Sequence, residues 1–176
     1  MVLVPDRAYG RVSRVRTLVP AESAGLKQAA RFVKEKKMKI EIPEKKKLVY
    51  QMRIPIRWGD MDAMSHVNNT TYFRYLETCR IDWMHSIGCV PDPQGEGPVI
   101  VNAFCNFYKQ LEYPGEVLIK MYVSDPGRTT FESWGTMELI SDPGVIYAAG
   151  GATTIWVDFP NQKAKTMPDW MRELVN

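Results

Sequence analysis

From Leu48 the chain alternates. Tyr50, Met52, Ile54, Ile56 and Trp58 are separated by Gln51, Arg53, Pro55 and Arg57, the period of a strand with one buried face. Pro55 cannot donate to a sheet ladder, so this strand is expected at an edge or locally unpaired. The period then changes. Tyr72, Leu76, Cys79, Trp83 and Ile87 recur at helical spacing, flanked by Phe73, Arg80 and Met84, and Gly88 follows. The pattern predicts a helix over about 70–87 that stops at the glycine.

Alternation resumes in Val99, Val101, Ala103, Cys105 and Phe107, then in Val117, Ile119, Met121 and Val123. It continues through Phe131, Ser133, Gly135, Met137 and Leu139, and a last run spans Val145 to Asp158. Tyr113-Pro114-Gly115, Asp125-Pro126-Gly127 and Asp142-Pro143-Gly144 punctuate these runs, so antiparallel hairpins are expected. Pro168 sits near the first position of a short C-terminal helix. Strand, long helix, then a run of strands predicts an α+β domain with one helix packed on an antiparallel sheet.

Residues 1–47 read differently. Leu26, Ala29, Ala30, Val33 and Met38 loosely follow helical spacing after Pro20 and Ser23, which predicts a helix over about 22–37. Charge divides the chain at the same place. Residues 1–48 carry 13 Lys or Arg against 5 Asp or Glu, although the whole chain is only +3. This reads as a basic N-terminal extension, 1–47, before a main domain, 48–176. A solvated charged face accounts for such a segment without a nucleic-acid partner. Its four arginines before Pro20 also have the flavour of an organellar targeting segment.

At 45% hydrophobic and 24% charged residues, the composition argues against wholesale disorder. No apolar stretch approaches the roughly 18 residues of a membrane span. Three cysteines without a CxxC pair argue against a disulfide framework or zinc knuckle and favour a reducing compartment, the cytoplasm by default. Without HExxH or EF-hand spacing, no metal site is expected.

Candidate chemistry concentrates between the first strand and the helix. Asp60, Asp62, His66, Asn68 and Asn69 fall within ten residues just ahead of the helix N-terminus. A carboxylate there would stand beside backbone N–H groups able to hold a negative oxygen. Asp62 reads either as a base or as a capping group. Asp60 reads as a local hydrogen-bond acceptor. Asn68 and Asn69 are expected to organise the loop and cap the helix, with Asn68 also a candidate substrate-binding residue, and His66 to donate a hydrogen bond, position water or serve structure. Glu77, three residues from both Arg74 and Arg80, reads as an intrahelical ion-pair partner, with a backup base as the alternative. Trp58, Trp83, Tyr72, Tyr75, Phe104 and Phe107 read as aromatics of the core or a dimer interface that could also shape an acyl pocket.

Trp58-Gly59-Asp60-x-Asp62, His66-Val67-Asn68-Asn69 and Tyr72-Phe73-Arg74-Tyr75-Leu76-Glu77 with Arg80, together with Met167-Pro168-Asp169-Trp170-Met171, resemble the 4-hydroxybenzoyl-CoA thioesterase family of the hotdog fold. The resemblance spans about Leu48 to Leu174. It implies a long helix wrapped by an antiparallel sheet, and a homodimer or dimer of dimers with active sites between subunits. It also implies acyl-CoA hydrolysis without a cofactor beyond the coenzyme A of the substrate. In such a site Asp62 would be the catalytic carboxylate, as base or nucleophile, and the backbone N–H of Asn69 would polarise the carbonyl. Arg128, with Thr129 and Thr130, would hold coenzyme A phosphates; a solvated turn arginine is the plainer reading. The resemblance extends to acyl-carrier-protein thioesterases, but Met64 stands where plant members place a polar Asn. A non-catalytic acyl-thioester binding protein is the remaining alternative.

Overall fold

The alternating segments pair into one antiparallel sheet, and the helical segment lies across it. This computed structural model describes residues 41–90 and 92–176. The helix expected over 22–37 lies outside them. The elements are β1 (Lys47–Pro55), a 3-10 turn (Trp58–Asp60), α1 (Asn69–Ser86), β2 (Glu96–Phe107), β3 (Glu116–Ser124), β4 (Thr130–Leu139), β5 (Ile146–Asp158), β6 (Lys163–Ala164) and α2 (Asp169–Val175). The sheet order is β1-β3-β4-β5-β2, with β6 added to β5. Every pairing is antiparallel. Asp125-Pro126-Gly127 joins β3 to β4, and Asp142-Pro143-Gly144 joins β4 to β5, as turns of this composition should. Among the described residues no helix is long and apolar enough to cross a membrane.

The expected α+β architecture is the observed one. Tyr72, Tyr75, Cys79, Trp83 and Met84 form the buried face of α1. They meet a sheet face that includes Val117, Ile119, Met121, Phe131 and Met137. Trp83 stands edge-on to Phe131 with ring centroids 6.2 Å apart. Gly88 ends the helix at φ 76°, the left-handed conformation that glycine adopts without strain. At mid-helix Leu76 descends between small residues. A Cβ on Gly150 would lie 2.7 Å from Leu76 Cδ1 and 2.5 Å from the Phe104 carbonyl oxygen. The absence of a side chain there is what lets helix and sheet approach.

Two departures from simple alternation matter for the site. β1 is an edge strand, as Pro55 suggested, but it stops at Pro55. Trp58 therefore does not continue the buried face and is 76% exposed. The cause is local: the Asp60 carboxylate accepts the Arg57 N–H at 2.8 Å and turns the backbone. At the other edge, the apolar residues Val99, Val101 and Phe107 of β2 stay exposed. The register shifts between Ile100 and Asn102, and this terminal strand has no sheet partner beyond β5 among the described residues.

Gly150→Ala should cost about 1–3 kcal/mol, the usual range for overpacking a close contact. Urea unfolding of both proteins checks this; an unchanged midpoint would show that Leu76 and β2 can yield without cost.

Candidate active site

The loop between β1 and α1 is folded back on itself. Ile56 N–H donates to the Gly115 carbonyl at 2.8 Å and anchors its start. Met61 and Val67 pair as an antiparallel bridge, and Asp62 N–H donates to the His66 carbonyl at 2.8 Å. Between them Ser65 takes φ 63°, an uncommon conformation for a residue with a Cβ. Its N–H donates to the Asp62 carbonyl at 3.1 Å.

Asp62 uses its two carboxylate oxygens differently. Oδ1 accepts the Met64 N–H at 2.8 Å and, more weakly, the His66 N–H at 3.5 Å, the side-chain-to-backbone closure that Asp supplies in turns. Among the described residues Oδ2 has no hydrogen-bond donor. The capping and basic readings of Asp62 are therefore compatible: one oxygen fixes the side chain while the other stays available.

Asn68 caps α1. Its Oδ1 accepts the Thr70 N–H at 2.9 Å and the Thr70 hydroxyl at 2.7 Å, satisfying one of the donors a helix leaves unpaired. Asn69 is the first helical residue and is exposed. Its N–H has no acceptor among the described residues, and it stands at the positive end of the helix dipole.

The opposite wall comes from the end of β2, about forty residues later. Val67 N–H donates to the Leu111 carbonyl at 2.8 Å. Leu111 N–H in turn donates to the Tyr72 hydroxyl at 3.1 Å. Tyr72 meets Phe107 edge-on at 4.9 Å. A cleft of ≈ 690 Å³ results, with Asp62, His66, Asn69 and Tyr72 on one side and Phe107 and Lys109 on the other. The volume lies within the usual range for small-molecule sites. Tyr108, Lys109 and Gln110 also line it, and none was anticipated; their sequence signal was only a polar stretch ending an apolar strand. Lys109 brings a cation, with its Nζ 3.8 Å from Asp142 and 5.3 Å from the Tyr147 ring centroid.

Asp60 does not line this cleft. Its Oδ2 accepts both the Arg57 N–H at 2.8 Å and the Tyr75 hydroxyl at 2.7 Å, and its carbonyl accepts the Asn68 N–H at 2.8 Å. Asp60 is thus the local acceptor expected of it. Glu77 forms the expected intrahelical ion pair, with Arg74. Tyr75 and Trp83 serve the core, and Phe104 packs edge-on against Trp134 at 5.9 Å. The three cysteines are free. Burial pushes the Cys79 and Cys105 thiols up to about 12, so both remain protonated and poorly nucleophilic at neutral pH.

Arg128, Thr129 and Thr130 lie elsewhere. Their turn follows β3, whose first residue, Glu116, pairs with Pro55 at the loop end of the sheet. The 9 residues of β3 separate the two ends by roughly 27 Å at the usual strand rise. Arg128 donates to the Thr166 hydroxyl at 3.0 Å, and its carbonyl accepts the Met167 N–H at 2.9 Å. Within one protomer this turn secures the C-terminal segment and does not reach the Asp62 cleft.

The profile of the thioesterase-like superfamily matches residues 56–175. A candidate thioesterase from Pseudomonas aeruginosa is 31% identical, with a TM-score of 0.70 over 74% of this chain and 100% of that one. A candidate acyl-CoA thioesterase from Xanthomonas campestris is 29% identical, with a TM-score of 0.62 over 69% of this chain and 100% of that one. The DHNA-CoA thioesterase of Staphylococcus aureus shares the fold, at 20% identity and a TM-score of 0.63 over 71% and 87% of the two chains. No protein of curated function matches.

Tyr75→Phe keeps the ring in the core but removes the hydroxyl from Asp60. A loss of about 1–3 kcal/mol in urea unfolding is expected for a hydrogen bond to a charged group. A loss below about 0.5 kcal/mol, the lower end of the uncertainty of such measurements, would mean the clamp does not hold the loop.

Proposed function

This chain belongs to the thioesterase-like superfamily, and from that premise we propose that it hydrolyses an acyl-CoA to the free acid and coenzyme A. One observation carries this reading: Asp62, with a carboxylate oxygen that has no donor among the described residues, and Asn69, whose N–H has no acceptor among them, line the same cleft. A thioester has a good leaving group, so its hydrolysis mainly needs a base or nucleophile and a place for negative oxygen. Asp62 serves as that base or nucleophile, and Asn69 N–H polarises the carbonyl. Oxygen from water ends on the acyl carbon, the C–S bond breaks, and the departing sulfur is protonated. His66 positions water or donates to the carbonyl, and Asn68 holds the helix entrance in place. No further cofactor takes part.

The acyl-CoA class is supported by the Xanthomonas campestris candidate. The 4-hydroxybenzoyl-CoA branch is a finer reading, supported by the motif from Trp58 to Arg80. Lys109 gives the cleft a cation suited to an anionic substrate.

The working form is a homodimer, alone or paired again. The edge of β2, 12 residues long and unpaired among the described residues, supports this, since soluble proteins rarely leave a long apolar edge uncovered. Antiparallel pairing of two β2 edges would reverse one protomer relative to the other. That would bring one protomer's Arg128–Thr130 turn to the end of the sheet that holds the other's cleft. There Arg128, Thr129 and Thr130 take up coenzyme A phosphates.

Coenzyme A release from short-, medium-, long-chain and aromatic acyl-CoAs tests the activity. Wild-type turnover should fall by roughly 10²–10⁴-fold in Asp62→Asn, as for loss of a positioned base. Full activity in the variant would refute the role of Asp62, and no wild-type turnover would refute the reaction. Sedimentation velocity should give at least twice the chain mass; a monomer would refute the shared site.

A further inference from the structure

Tyr72 is buried in the core and also lines the cleft. It follows Asn69 by three residues, so both occupy the same face of α1. Side chains on a helix lean toward its N-terminus, which directs the Tyr72 side chain back toward the turn that begins at Asn69. Its position is then fixed from two sides. The ring abuts Phe107 at 4.9 Å, and the oxygen accepts the Leu111 N–H at 3.1 Å. Leu111 is itself held by Val67 N–H at 2.8 Å, immediately after His66. The hydroxyl oxygen is therefore tied to the segment carrying His66.

Its proton is not committed. Among the described residues nothing accepts a hydrogen bond from the Tyr72 hydroxyl, although a buried hydroxyl normally finds an acceptor. Burial, with Cys105 and Asp62 nearby, pushes the phenol above its ordinary pKa. The group thus stays protonated and remains a donor. A donor lining the cleft, fixed through its oxygen and with its proton free, is the kind of group that a site for negative oxygen uses.

Resting on the hydrolase reading above, we propose that the Tyr72 hydroxyl is a catalytic residue: a second donor to the thioester carbonyl oxygen, beside Asn69 N–H. It transfers no proton. Its hydrogen bond shortens as the carbonyl oxygen gains charge and relaxes when the C–S bond breaks, so it acts mainly in the transition state.

The test compares the full-length wild type with Tyr72→Phe. It uses the best acyl-CoA substrate, a trifluoromethyl ketone analogue that forms a tetrahedral adduct, and a thioether analogue without the carbonyl. Loss of one such donor should lower kcat by roughly 10²–10³-fold, with KM within about threefold. Affinity for the tetrahedral analogue should drop with kcat, while the thioether binds as before. A merely structural role, through the lost acceptor for Leu111 N–H, would weaken both analogues together and would overturn the proposal. So would an unchanged kcat. If the wild type releases no coenzyme A from any acyl-CoA, the hydrolase reading fails and this inference with it. Should Tyr72→Phe not fold, a fluorinated tyrosine of lower phenol pKa at position 72 replaces it. Turnover should then fall as rising pH ionises that phenol, and a pH profile identical to the wild type would overturn the proposal.

Discussion

The Asp60 carboxylate joins the Arg57 N–H and the Tyr75 hydroxyl, at 2.8 Å and 2.7 Å, and the Asp60 carbonyl takes the Asn68 N–H at 2.8 Å. These three bonds tie the end of β1, the loop and the start of α1 into one unit. Without them, the direction in which the loop leaves β1 and the position at which α1 begins would be set independently. With them, Asp62 is held two residues from a fixed point, and Asn69 is held one residue from another. A site that works by positioning has little tolerance for looseness, because misplacement of about an ångström costs orders of magnitude in rate. Asp60 lies outside the cleft, yet it sets the geometry of the groups inside it.

Packing provides the rigid frame. Leu76 fits over Gly150 and Gly135 because neither carries a Cβ, so α1 sits close to the sheet along its middle. Its N-terminal turn then projects to the edge where β2 ends. The second wall of the cleft depends on that placement, since Leu111 bridges Val67 and Tyr72 only when α1 begins where β2 ends. The cleft combines two kinds of polar group. Oδ1 of Asp62 and the oxygen of Tyr72 are held by backbone N–H groups. Among the described residues, Oδ2 of Asp62, the N–H of Asn69 and the proton of Tyr72 are left without partners. Committed atoms provide rigidity, and in the proposed hydrolysis the uncommitted ones provide the chemistry.

Much of the fold was legible because it follows from local period. The runs at 117–123 and 131–139 lie within the observed strands β3 and β4, and the helix predicted over about 70–87 is observed as Asn69–Ser86. Pro55 correctly marked an edge, since a residue without an N–H cannot serve a central strand. Trp58 misled because alternation extends through it, whereas the backbone turns to meet the Asp60 carboxylate. Val101 misled because a register shift changes which face an apolar residue occupies. At the site, the loop residues were visible as a motif, and the observed caps follow from their chemistry. Lys109 was not visible as a site residue, and Tyr72 was visible only as one of several aromatics that could shape an acyl pocket. Their place depends on the pairing of Val67 with Leu111, which no local pattern encodes. Tyr72 in particular reads in sequence as one more member of an apolar helical stripe.

The central claim is that Asp62 and the entrance to α1 act on one and the same thioester. A crystal structure of Asp62→Asn with its preferred acyl-CoA bound tests this most directly. The account predicts the carbonyl oxygen at about 2.7–3.1 Å from Asn69 N, the spacing of an oxyanion site, with the acyl carbon facing residue 62. A thioester bound elsewhere, for example beside Glu77 midway along α1, or with its carbonyl turned away from Asn69, would contradict it.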